Sequence, residues 1–178
     1  PLIFLIFNND FPASANEGSS VLFADDDTDN VCANNPLELQ NKVQREAERS
    51  VAWVRDNRMV CSGEKTKLLV IGTQELRQNL LKNPELEIIV NVANKVIKES
   101  QSEKLLGLIV SNDLTWKNYL YGETWRPKPA DNFKGLIPKL SQRIGLLKQL
   151  RKKMSLDNFK MITNGIFMSL IIYCIQVY

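Results

Sequence analysis

Histidine does not occur anywhere in the 178 residues. That absence removes Ser-His-Asp and Cys-His triads, HExxH zinc sites and imidazole acid–base chemistry, leaving carboxylates and lysines to carry any reaction. Cysteine is scarce. Cys32, Cys61 and Cys174 are odd in number, far apart and without histidine partners, so neither a disulfide framework nor a zinc site is indicated. A reducing, intracellular setting, nucleus or cytoplasm, is the expectation. Internal repeats and low-complexity tracts are missing too. The apolar run Pro1–Phe7 lacks the basic segment and small-residue cleavage site of a secretory signal. Because the chain starts at Pro1 and stops inside a second apolar run, it is expected to be a fragment. Residues 161–178 carry no charge, but Thr163, Asn164, Ser169 and Gln176 interrupt them, so a buried helix is expected rather than a membrane anchor.

The composition is that of a globular chain, 44% hydrophobic and 24% charged, with enough length for one or two cores. The net charge of +3 hides an uneven distribution. Residues 1–60 hold ten acids and five bases, whereas residues 126–153 hold nine bases and one acid. The two ends are therefore expected to do different work.

Along the chain, residues 1–11 form a short helix or strand that stops at the turn-prone Asn-Asn-Asp-Phe-Pro. Residues 19–24 and 28–33 are β-prone runs flanking acidic residues, which predicts a hairpin with the carboxylates at its tip. From Pro36 to about Asn57 the spacing of Leu39, Val43, Ala47, Val51 and Val54 predicts an amphipathic helix. Strands are predicted over 67–72, 86–92 and 104–111, giving a small sheet packed on that helix. A polar segment through Pro129 marks a boundary. A further helix begins at Pro138 with Leu140, Ile144 and Leu147 as its stripe, and a last one follows Ser155, with Asp157 in its first turn. The fold class expected is α+β. Trp53 and Trp116 adjoin apolar patterns and are read as core anchors rather than base-stacking platforms.

The sequence "FADDDTDN", 23–30, concentrates negative charge that needs a cation or solvent to relieve it. A calcium loop of the EF-hand type places ligands at alternate positions, as Asp25, Asp27 and Asp29 are placed, but requires Gly where Asn30 stands and Glu where Pro36 stands. That reading fails. Asp27 is read as a solvated turn residue adding negative potential.

Phe23-Ala-Asp-Asp26 resembles the aromatic-x-Asp-Asp motif of reverse transcriptases of the non-LTR retrotransposon type, and further segments match in the family's order. Residues 1–12 are similar to the apolar run ending in Asn-Asp-Leu-Pro, and residues 53–72 to the Trp, Asn and Lys-Thr pattern leading into a strand. Residues 105–116 resemble the Leu-Gly-(apolar)-Asp-Leu-(Ser/Thr)-Trp segment beyond the palm. Residues 139–154 and 173–178 resemble the thumb and the region after it. Asp27 departs from the Thr or Ser common after the aspartate pair.

This resemblance implies a partial polymerase palm over residues 1–111, carrying the acidic hairpin, a helix and a small antiparallel sheet, then a connection and helical thumb over 112–178. Asp25 would be the principal ligand of Mg²⁺, or Mn²⁺, and Asp26 an accessory one. Lys65 would lie near the incoming nucleotide. Lys139, Arg143, Lys148, Arg151, Lys152 and Lys153 would hold phosphates of an RNA template and DNA primer, with deoxynucleoside triphosphates as substrates and no membrane involved. The family's third metal aspartate and its fingers precede the position matching Pro1, so the chain alone is expected to be inactive. The competing expectations are a non-catalytic nucleic-acid-binding remnant and a membrane-associated interaction protein.

Overall fold

The computed structural model describes residues 2–122, 135–173 and 175. It divides into two units, Pro1–Gln101 and Ser102–Tyr178. The division falls before the boundary expected at 111–112.

The first unit opens with helix α1 (Leu2–Phe7) and the hairpin β1 (Gly18–Phe23) and β2 (Asp26–Val31), and is organised around helix α2 (Pro36–Asp56). Asn35 is extended and its side-chain oxygen accepts from the Glu38 N–H at 2.8 Å, while Pro36 sits where no amide hydrogen is needed. The helix ends at Asp56, as the pattern predicted. Val43, Ala47 and Val51 pack on buried Val90, Val92 and Ile97 of a second antiparallel hairpin, β3 (Ile89–Val92) and β4 (Lys95–Lys98). Leu39 joins Val70, Leu80 and Ile88 in a neighbouring cluster that also takes in Leu76 of α3 (Gln74–Lys82).

The outer edge of β3 is covered by side chains of α2. Gln40 donates to the Ile89 carbonyl at 2.5 Å and accepts the Ile89 N–H at 2.8 Å. One helical turn on, Gln44 donates to the Asn91 carbonyl at 3.4 Å and accepts its N–H at 2.9 Å. The two amides take the place of a third strand and satisfy backbone groups that an open edge would leave to water or to another chain.

Three expectations need correction. Residues 67–72 form no strand: they contribute a single bridge, Leu68 to Glu99, and a buried Val70, the pairing going no further than the Ser100 N–H on the Leu68 carbonyl. Residues 104–111 are not one strand but belong to the hairpin β5 (Ser102–Leu105) and β6 (Leu108–Ser111). Leu106 and Gly107 both have positive φ, 47° and 89°, as a two-residue type I′ turn requires. The expected small sheet is therefore two separate antiparallel hairpins, which with the acidic hairpin make three two-stranded sheets among the described residues. Helix α3, to which the sequence reading assigned nothing, starts at Thr73, whose hydroxyl accepts from the Leu76 N–H. The α+β class holds.

In the second unit, Leu108 and Ile109 of β6, Tyr119 of α4 (Lys117–Tyr121) and Leu136 of α5 (Leu136–Leu150) form the core, joined by Trp116, Leu120, Leu140 and Leu170. α5 starts before Pro138, which lies within its first turn. The last helix is not continuous. It runs as α6 (Leu156–Thr163), a π-helical turn over Asn164–Met168, and α7 (Ser169–Ile172). The Thr163 and Ser169 hydroxyls bond back to the Phe159 and Gly165 carbonyls, at 2.8 and 2.6 Å, a pattern that bends helices. Among the described residues no helix is long and apolar enough to cross a membrane. The polar boundary segment through Pro129 lies mostly outside the described residues.

Candidate functional site

The acidic hairpin is tighter than the sequence suggested. Phe23 pairs with Asp26, so the loop consists of Ala24 and Asp25 alone. Ala24 takes φ 56°, a left-handed conformation at the first loop position, where glycine is the favoured residue. Asp25 stands at the tip, and Asp26 and Asp27 are the first residues of β2. Strand alternation then separates the carboxylates. Asp26 shares one face with its partner Phe23 and with Val21, which are 65% and 58% exposed. Asp27 and Asp29 share the other.

Asp27 is thus a strand residue, not the solvated turn residue expected. The Ser20 hydroxyl donates to its Oδ1 at 2.8 Å. Its carboxyl reaches solvent, yet desolvation by the hairpin pushes its pKa from 3.8 to about 6, with Asp29 adding to the rise and Ser20 and Arg49 opposing it.

Asp29 faces α2, and there the structure holds a set of partners that the sequence reading missed. Arg49 Nη2 lies 2.9 Å from Asp29 Oδ1, and the Ser50 hydroxyl donates to Asp29 Oδ2 at 2.7 Å. Arg49 also donates to the Ser14 hydroxyl at 2.7 Å and the Phe11 carbonyl at 3.3 Å, and its guanidinium stacks 4.5 Å from the centre of the Phe11 ring. Glu46, only 2% exposed, lies 2.7 Å from Arg49 Nε. That contact is an ion pair without hydrogen-bond alignment, and neither buried atom has a hydrogen-bond partner. The other Glu46 oxygen accepts the N–H groups of Asn16 and Glu17 at 3.2 and 3.0 Å. One arginine therefore ties the segment before β1, strand β2 and helix α2 together. The available signal was the i, i+3 spacing of the opposite charges Glu46 and Arg49 on α2.

Asp25 and Asp26 are exposed and make no hydrogen bond or ion pair among the described residues. Nor is any group of three or more His, Cys, Asp or Glu side chains placed to hold a metal ion among those residues. Two free adjacent carboxylates match what Mg²⁺ takes from protein when phosphate oxygens and water complete its shell; they do not make a self-sufficient cage. Lys65 lies in the turn after α2, where its N–H bonds to the Ser62 carbonyl at 3.1 Å, and its side chain contacts neither aspartate. Asp25 and Asp26 are thus neighbours at the hairpin tip, and no ion pair links Lys65 to either.

The basic residues divide by surroundings. Arg143 donates to the Ile166 carbonyl, a group inside the π-helical turn, so it fastens α5 to the last helix. Burial lowers the Lys139 pKa, and the neighbouring charges of Lys104 and Arg143 lower it further. Lys148, Arg151, Lys152 and Lys153 line an open groove of about 1010 Å³ between α5 and α6. Arg151 lies 5.5 Å from the centre of the Phe159 ring. Residues 126–134 of the basic run lie outside the described residues, as does most of 173–178; Tyr173 donates to the Leu106 carbonyl.

Both tryptophans pack as core anchors. Trp53 meets Phe11 edge-on at 4.9 Å, and Trp116 meets Tyr119 edge-on at 6.2 Å. Compared with protein-family models, curated proteins and solved structures, the chain matches none.

Proposed function

We propose that this chain is the palm and thumb portion of an RNA-directed DNA polymerase of a non-LTR retrotransposon, acting inside the cell in nucleus or cytoplasm. The observation that carries the reading is the pair Asp25 and Asp26, whose side chains have no protein partner among the described residues, at a two-residue hairpin tip within a motif whose neighbours follow the family's order. Such a tip offers adjacent hard oxygen ligands to a Mg²⁺ or Mn²⁺ ion that also holds nucleotide phosphates. When bound, the metal would activate a primer 3′-hydroxyl and stabilise leaving pyrophosphate. Asp25 and Asp26 would fix its place, and the Lys65 ammonium would balance charge on the pyrophosphate. Lys139, Arg143, Lys148, Arg151, Lys152 and Lys153 would hold the template–primer backbone through sequence-independent phosphate contacts.

Among the described residues no third carboxylate joins Asp25 and Asp26 to hold a metal, so the chain by itself is inactive on this account. Primer extension on an RNA template with Mg²⁺ or Mn²⁺, together with binding of the labelled template–primer, tests the reading. Template–primer binding without synthesis is expected. Synthesis that survives Asp25→Asn with Asp26→Asn, or no binding of the template–primer at low salt, would contradict it. A non-catalytic nucleic-acid-binding remnant would also bind without synthesis; metal placement separates the two, since that alternative gives Asp25 and Asp26 no Mn²⁺ to hold.

A further inference from the structure

We propose that the groove between α5 and α6 receives an acidic amphipathic helix of a protein partner. Its floor is apolar: Ile144, Leu147, Phe159 and Phe167 line it, and Ile144, the middle residue of the expected core stripe, is 42% exposed. A core stripe left open to water is an unsatisfied apolar surface. Its rim holds the four cations Lys148, Arg151, Lys152 and Lys153, and among the described residues no acid lines the groove. None of the four has an acidic partner among the described residues; the nearby Asp157 is placed 3.9 Å from Lys160 instead.

Floor and rim together select the occupant. A nucleic-acid backbone would reach the rim charges and leave the floor wet, whereas an anionic membrane surface is too flat to follow a recessed floor behind long basic side chains. A helix with apolar residues at i, i+3, i+4 and i+7 fills such a groove, and carboxylates on its flanks meet the rim. The same cations serve both ligands, so the helix and a template–primer would compete. The inference stands apart from the polymerase reading, because it uses only the groove's shape and charge.

The probe is a labelled synthetic peptide of about 15 residues, long enough to form a helix on binding, with Leu at those positions and Glu on the flanks. A second peptide permutes the same composition. A labelled single-stranded DNA oligonucleotide and phosphatidylserine vesicles complete the set. The patterned peptide is expected to bind the full chain at least about tenfold more tightly than the permuted one, and Ile144→Glu to weaken it about tenfold. Lys152→Glu with Lys153→Glu, both exposed, should weaken it similarly, with an unchanged circular dichroism spectrum in every variant. Equal binding of the two peptides would overturn the proposal. So would loss of oligonucleotide or vesicle binding in Ile144→Glu with the patterned peptide unaffected, which would assign the floor to that ligand instead.

Discussion

Arg49 Nη2 lies 2.9 Å from Asp29 Oδ1, so a residue in the middle of α2 grips the strand that carries Asp26 and is contiguous with Asp25. Arg49 is almost fully enclosed, its side chain 9% exposed, and it faces two carboxylates, Asp29 and Glu46. The hairpin tip itself has no such support. Its position relative to the rest of the first unit is set from its base by this arginine.

Removing Arg49 is expected to be among the costliest single changes in the first unit. Arg49→Met leaves Glu46 and Asp29 without their cation, and breaking a buried pair in this way costs about 3–5 kcal/mol. Arg49→Lys should recover little, because a single ammonium cannot reach Ser14, the Phe11 carbonyl and both carboxylates at once. Urea denaturation monitored by tryptophan fluorescence in a Trp116→Phe, Trp125→Phe background, which leaves Trp53 as the reporter, reads the difference.

Ala24 supplies the opposite case, a residue whose replacement should help. At φ 56° its Cβ is strained, and Ala24→Gly removes that strain at the cost of a more flexible unfolded chain. A net gain of about 0.5–1 kcal/mol is expected from thermal or urea unfolding, with Ala24→Val losing about as much.

These two positions also mark what the sequence could and could not reveal. α2 was legible because Leu39, Val43, Ala47 and Val51 repeat at helical spacing and Pro36 follows a capping Asn35. The acidic hairpin was legible because β-prone runs flank a polar turn. Arg49 was not, since its partners Asp29 and Phe11 are remote in sequence and an arginine on a helix resembles any solvated charge. Residues 104–111 looked like one strand because Leu106 hides a turn that only Gly107 betrays. Residues 67–72 are apolar enough for a strand, but a strand needs a neighbour, and local pattern does not supply one. In the second unit, Ile144 fits the core stripe by spacing and yet lies in the groove, since helical spacing marks an apolar face but not what packs against it.

Asp27 makes the first unit sensitive to pH. Its pKa rises from 3.8 to about 6 on folding, so between those values the folded chain binds more protons than the unfolded one. This contribution to stability is complete below about pH 4, declines as pH rises towards 6, and is gone above it. Because the carboxylate reaches solvent, the effect is smaller than the shift alone implies. Asp27→Asn should flatten the profile between pH 4 and 6, measured as urea midpoints across that range. An unchanged profile would separate Asp27 from the effect.

For the basic face, the logarithm of template–primer affinity is expected to fall linearly with the logarithm of salt concentration. Neutralising one rim cation, as in Lys152→Gln, should reduce the slope by about 1 and weaken all sequences alike. A slope unchanged in Lys148→Gln, Lys152→Gln and Lys153→Gln would move the phosphates to another surface.

The most direct test of the polymerase account is where Mn²⁺ settles. Backbone amide resonances recorded with trace Mn²⁺, a template–primer and a deoxynucleoside triphosphate should broaden first at Ala24, Asp25 and Asp26. Asp25→Asn with Asp26→Asn should abolish that broadening while leaving the signals of β3 and β4 in place. Broadening that spreads over the acidic surface without preference, or that persists at the hairpin tip after both substitutions, would contradict the account.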